Sequence, residues 1–163
     1  KSHKERRLAA DFQYHASYAR RLFDAAIGRD IAEEEQWPEE VMALAIDPTC
    51  APALLTIGSY EYIFGRKDKA MIHFLALTKL PEETEELVEI IEKAAGFLVE
   101  NEEFEDAIRL YLSAISERPN TAVFHNGISH CYGRLGDSSK ALQEGRVAVV
   151  LDPLNHLYLA DLG

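Results

Sequence analysis

The stretch Leu135–Pro153, LGDSSKALQEGRVAVVLDP, repeats the plan of an earlier one, Asn101–Pro119, NEEFEDAIRLYLSAISERP. In each copy a small residue precedes a proline by twelve positions: Ala107 with Pro119, Ala141 with Pro153. The copies stand 34 residues apart. Ala70 lies 37 residues before Ala107, and Pro48 lies 71 before Pro119, which is one step of each length. The three extra residues of the longer step fall in the joint LPEET at 80–84. A fixed period of this size marks units that bury their apolar faces by stacking on neighbours. The proline ends a helix, because the residue before it is pushed out of helical geometry. The alanine lets two helix axes approach.

Between these landmarks the chain reads as helix. Apolar residues recur at three and four: Leu8, Phe12, Ala16, Ala19, Phe23 and Ala26; Leu87, Ile90, Ile91, Ala94 and Leu98; Ala107, Leu110, Tyr111, Ala114 and Ile115. Breaks are predicted at Gly28, Asp47-Pro48, Phe64-Gly65-Arg66, Leu80-Pro81, Asn101-Glu102, Arg118-Pro119-Asn120, Gly136-Asp137 and Asp152-Pro153, with Trp37-Pro38 opening a helix. Gly65, Asn101 and Gly136 are placed for the left-handed residue that follows a helix. Asp137 or Ser138, Thr84, and Asn120 or Thr121 are candidate N-caps.

These residues resemble the tetratricopeptide repeat (TPR), a 34-residue helix–turn–helix unit of the pattern W-x2-L-G-x2-Y…A-x3-F…P. Leu54, Ile57, Gly58, Ala70 and Phe74 follow that pattern, as do Ile91, Ala94, Ala95, Leu98, Ala107, Tyr111, Ala114 and Pro119, and Ile128, Ser129, Tyr132, Ala141, Ala148 and Pro153. The resemblance implies an all-α fold, a right-handed α-solenoid of antiparallel helical hairpins. It implies one domain over 1–163, with a degenerate helical pair at 1–50 and repeats at 51–83, 84–120 and 121–155. Residues 156–163 resemble the start of a further first helix. Gly58, Ala95 and Ser129 are expected to face Ala70, Ala107 and Ala141. Gly145 departs from the pattern, which wants an aromatic there, and a side chain from elsewhere is expected to fill the gap.

The formal net charge of −11 is concentrated at 33–40, 81–92 and 100–106. Such a field repels phosphate backbones, so no nucleic-acid partner is expected, an RNA-binding helical repeat included, while a basic partner would be steered in. No apolar run reaches the roughly 20 residues of a membrane helix, so no membrane partner is expected. The start, KSHKERRLAADF, has no apolar leader core. Cys50 and Cys131 lack the CxxC spacing of metal or redox pairs and read as small core residues, which favours a reducing, cytoplasmic setting.

Nothing in the chain carries a catalytic signature. GxSxG, HExxH, GxGxxG and the phosphate-binding loop are all missing. His125, His130 and Cys131 are spaced for different faces of a helix, so no metal site is expected there. His73 reads as a boundary residue. Glu82-Glu83, Glu85-Glu86 and Glu102-Glu103 sit in joints or first turns, where acids favour the helix dipole. The reading is no enzyme, no catalytic residue, no metal and no cofactor.

In TPR families the first helices line a concave groove that holds a peptide. The resemblance puts Leu55, Ser59, Tyr62 and Ile63, then Glu89, Glu92, Gly96 and Val99, then Val123, Asn126, His130 and Arg134 in such a groove. Relatives that clamp an acidic C-terminus use Lys, Arg and Asn at these positions. Here only Asn126 fits, so an acidic tail is not expected to bind. The implied role is an interaction scaffold or adaptor for an apolar or basic protein segment. The alternatives are a dedicated cytoplasmic chaperone of TPR type, or a structural or oligomerisation segment of a larger protein that seals a homodimer.

Overall fold

A computed structural model describes residues 2, 4–10, 14, 43, 46, 47, 49–81 and 85–155. The breaks at Gly28 and Trp37-Pro38, the cap at Thr84, the pair Glu82-Glu83 and the segment 156–163 lie outside the described residues. Among the described residues beyond 50, the helices are α1 (Ala51–Ile63), α2 (Lys67–Thr78), α3 (Glu85–Glu100), α4 (Phe104–Glu117), α5 (Ala122–Arg134) and α6 (Ser138–Leu151). Among the described residues there is no strand. By its internal contacts the chain forms two compact units, Lys1–His73 and Phe74–Gly163.

In the first unit a helical run over 4–10 starts with a reciprocal cap. The Glu5 amide donates to Ser2 Oγ at 3.2 Å, and the Ser2 amide donates to Glu5 Oε2 at 2.8 Å, so two otherwise orphaned donors are satisfied together. Ala10, Ala43, Cys50 and Ala53 form a small core with Tyr14 and Ile46 packed on it. Asp47 Oδ1 accepts from the Thr49 amide at 3.0 Å and the Thr49 hydroxyl at 2.6 Å, which fixes the turn into α1. Gly58 and Ala70, the small residues of this repeat, are both buried.

In the second unit each helix packs on the next, α3 on α4, α4 on α5 and α5 on α6. The buried side follows the helical period. α3 buries Leu87, Ile90, Ile91, Ala94, Ala95 and Leu98, and α4 buries Phe104, Ala107, Ile108, Leu110, Tyr111 and Ala114. α5 contributes Phe124, Ile128 and Cys131, and α6 contributes Gly145 and Ala148. The expected approach of Ser129 to Ala141 is direct: the Ser129 hydroxyl donates to the Ala141 carbonyl at 2.6 Å. Ala95 and Ala107 have no exposed surface.

Arg118 ties two repeats together. Its Nη1 donates to the Thr78 carbonyl at 3.0 Å and its Nη2 to the Leu80 carbonyl at 2.7 Å. The Thr78 carbonyl ends α2 and the Leu80 carbonyl lies two residues beyond it; neither has a partner within the helix, and the guanidinium fork satisfies both with charge-assisted bonds. Beside it, Thr78 and Ser113 exchange a hydroxyl bond at 2.6 Å, and Lys79 pairs with Glu117 at 2.7 Å.

The turns modify one expectation. Gly65 and Gly136 take left-handed backbone, at φ 79° and 83°. In the middle repeat the residue at φ 60° is Glu102, not Asn101. Asn101 instead extends the end of α3, its side-chain amide donating to the Phe97 carbonyl at 2.8 Å. The left-handed step therefore passes to Glu102, which is 37 residues from Gly65 and 34 from Gly136. Of the candidate caps, Asp137 accepts from the Lys140 amide at 3.1 Å, whereas Thr121 occupies its cap position without a side-chain bond.

Burial sets the alkaline limit of this unit. The Cys131 thiol, wholly buried, is pushed up from an ordinary 9.0 to about 11 by loss of solvation. Tyr111 is raised in the same direction, chiefly by burial and then by the charges of Cys131 and Glu92. Unfolded, the thiol loses its proton near 9.0; folded, it holds the proton until about 11. Stability is therefore expected to fall as pH rises from about 9 towards 11. Cys131→Ala should flatten the Tm profile over that range, and an unchanged slope would place its origin elsewhere.

Candidate functional site

The first three turns of α3 bring Glu85, Glu89 and Glu92 to one side of the helix, four and then three residues apart. Gly96 and Val99 continue the same side, all short of full burial. Opposite the N-terminal end of this row lies the joint between α4 and α5. Together they enclose a groove of about 660 Å³, lined by Glu85, Val88, Glu89, Glu117, Arg118, Pro119, Asn120 and Thr121. Its walls join apolar patches to carboxylates. Glu117 is held below the usual carboxylate range by its bond to Lys79, and the Arg118 fork is aimed at carbonyls.

Glu92 is half-buried, and its carboxyl is raised above the ordinary 4.5, first by burial and then by the charge of Glu89. Tyr111 reaches from α4 into this part of the unit and feels the charge of Glu92. Its ring lies against Gly127 of α5: a Cβ at that glycine would stand 2.3 Å from Tyr111 Cζ. Only a residue without a side chain permits that approach. Tyr111 thus packs α4 against α5, within reach of the charge of Glu92 on α3.

The predicted groove residues fall into separate surroundings. In the first unit, Leu55, Ser59 and Tyr62 are half-buried and Ile63 is exposed. The Ser59 hydroxyl donates back to the Leu55 carbonyl at 2.8 Å, and the Lys67 ammonium sits 5.4 Å from the centre of the Tyr62 ring. In the second unit, Val123 and Asn126 are half-buried on α5. Glu89 lines the groove just described, whereas His130 and Arg134 line a second one, of about 450 Å³ between α5 and α6, with Ser129, Gly133, Ser138, Ala141 and Leu142. Arg134 also stacks on Phe104, 5.0 Å from its centre. Sequence reasoning missed Glu85, Val88 and the 117–121 joint as a wall; the Pro119-Asn120 break marks the joint but not what it faces.

The histidines and Cys131 go different ways. His125 Nδ1 faces Glu144 Oε2 at 2.8 Å and its Nε2 faces the Pro119 carbonyl at 3.2 Å, so a neutral ring can donate to only one of them. His130 is exposed and Cys131 buried. His73 is half-buried, with Nδ1 2.8 Å from the Lys69 carbonyl. Among the described residues no group of three His, Cys, Asp or Glu side chains is arranged to hold a metal ion, and no helix is long and apolar enough to cross a membrane.

No protein-family model matches the chain, and no curated protein matches it. Among solved structures it is similar to MamA, a TPR-like helical solenoid, with a TM-score of 0.53 at 17% identity over 79% of this chain and 74% of that one. At that identity the likeness bears on the fold, which is the all-α hairpin solenoid of the TPR type.

Proposed function

We propose that the chain is an interaction scaffold that holds a segment of a partner protein along the first helices of its repeats, and that the segment is basic with apolar neighbours. One observation carries this reading. Glu92 is a half-buried carboxylate raised by desolvation and by Glu89, with no cation against it among the described residues. Keeping such a group ionised costs stability, and a lysine or arginine from a partner would offset that cost. The neighbouring groove, with Glu85, Glu89 and Val88, suits the same chemistry. The TPR-like fold generally takes protein partners, which fits the reading.

The test is calorimetric titration with two peptides of equal length, one of alternating lysine and leucine, one ending in Glu-Glu-Val-Asp. The first is expected to bind and the second not to; micromolar binding of the acidic peptide alone would overturn the proposal. Glu92→Gln should weaken the basic peptide and raise Tm at pH 7. Because the folded carboxyl is raised, it costs stability above the ordinary 4.5, so the gain in Tm should shrink as pH falls towards that value. Light scattering on the free chain checks the competing reading as an oligomerisation segment, which requires a dimer. A cytoplasmic location and a dedicated chaperone role are narrower forms of the same proposal.

A further inference from the structure

Tyr111 carries an oxygen that the fold leaves unused. The residue is only 7% exposed, and its ring packs on that of Phe124, with centres 6.1 Å apart. Gly127 fixes its place from the other side. A Cβ there would stand 2.6 Å from the hydroxyl oxygen as well as 2.3 Å from Cζ, so ring and oxygen lie where only bare backbone admits them. Packing needs the ring alone, and Phe74 supplies such a ring at the matching register position of α2. Buried hydroxyls ordinarily find a partner. Among the described residues this one has none, nor is its oxygen one of those sealed from solvent. The oxygen is therefore held firmly at an opening, with its lone pairs on offer.

The charged groups around that opening are acidic. The charge of Glu92 reaches the phenol from α3, and that of Glu89, a turn earlier on the same side, reaches Glu92. No cation of the chain, Lys93 included, is set against Glu92 among the described residues. The Cys131 thiol, also near the phenol, keeps its proton up to about 11 and adds no charge at neutral pH. A turn beyond Glu92 stands Gly96, where even a Cβ would meet nothing within 4 Å, so open space continues along the helix. We propose that Glu89, Glu92 and the Tyr111 hydroxyl form a subsite for a lysine side chain of the partner segment. This rests on the reading of the chain as a scaffold for a basic segment, and it names the residue type that anchors that segment. Two carboxylates and a neutral oxygen, from two helices, are three separate acceptors. A lysine ammonium has three donors on one compact charge and can turn one to each. The flat fork of arginine suits two oxygens of a single carboxylate instead.

The test titrates the native chain and Tyr111→Phe with the alternating lysine–leucine peptide and with its arginine–leucine counterpart. The native chain should bind the lysine peptide more tightly than the arginine one. Tyr111→Phe removes only the oxygen, so its Tm should not fall. Its affinity for the lysine peptide should drop about tenfold, the weight of a hydrogen bond to a charged group, and its preference over arginine should narrow. A variant that keeps native affinity for the lysine peptide would overturn the proposal while leaving the scaffold reading in place, as would a native chain that prefers arginine. A lower Tm for Tyr111→Phe would also overturn it, by showing that the hydroxyl serves the fold. No binding of either basic peptide to the native chain would overturn both readings together.

Discussion

Replacing Phe124 with alanine should lower the stability of the chain by about 3–5 kcal/mol, the usual cost of emptying a fully buried aromatic site. Phe124 has no exposed surface, and its ring stands 6.1 Å from that of Tyr111. It sits in the first turn of α5, at the contact of that helix with α4. In a stacked fold stability runs through such neighbour contacts, so the loss should not stay local. For a chain of this size each kcal/mol moves Tm by about 2–4 °C, and the drop should be easy to read. Leu112→Ala is the control: the side chain is of similar chemistry but half exposed on α4, and its effect should stay within about 0.5 kcal/mol, as for surface changes generally. Equal effects of the two variants would mean that the α4–α5 contact is not where the unit is held together.

The elements that were legible in the sequence are those fixed by one residue's own shape. Pro119 must end a helix, Gly65 and Gly136 must permit left-handed backbone, and Ala107 must be small to be buried completely. Ser129 and Ala141 could be paired in advance because a period of 34 transfers one repeat's geometry to the next. The left-handed step falls at Glu102, one position after the expected Asn101, the better left-handed residue in isolation. The Asn101 side chain instead found the Phe97 carbonyl, a tertiary detail of the helix end that residue preference does not contain. Asn126-Gly127 is a hairpin signal by composition, yet it lies inside α5. The glycine is there for the Tyr111 ring, and nothing near it in sequence says so.

The site was less legible than the fold for the same reason. Choosing Glu89, Glu92, Gly96 and Val99 needed only the helical period of α3. That Glu89 shares a groove with Pro119 and Thr121, while His130 and Arg134 line another with Ser138 and Leu142, depends on how three helices meet. Arg118 illustrates the limit. As a lone cation in an acidic joint it reads as a surface residue, or as a counter-charge to Glu117. In the fold it spends two nitrogens on the Thr78 and Leu80 carbonyls, a role that nothing next to it in sequence announces.

Ala107→Trp carries the other large effect. Ala107 is completely buried on the side of α4 that also buries Phe104, Ile108, Leu110, Tyr111 and Ala114, and on α3 Ala95 is equally devoid of exposed surface. Ala107 has no exposed surface and α3 packs on α4; a tryptophan there cannot be housed without moving helices apart or turning neighbours off their preferred rotamers. Overpacking of this kind costs about 1–3 kcal/mol, and more where the surroundings are rigid. Arg118 and the Thr78–Ser113 bond anchor the far end of α4 to the end of α2, so α4 has little freedom to shift as a body. The expected result is a lower Tm, with the greatest loss of amide protection in α3 and α4. Ala141→Trp should be milder, because Ala141 is only half-buried and borders an open groove. If both substitutions cost the same, the small residues are not acting as spacers between crossing helices, and the 34-residue rhythm would need another physical cause.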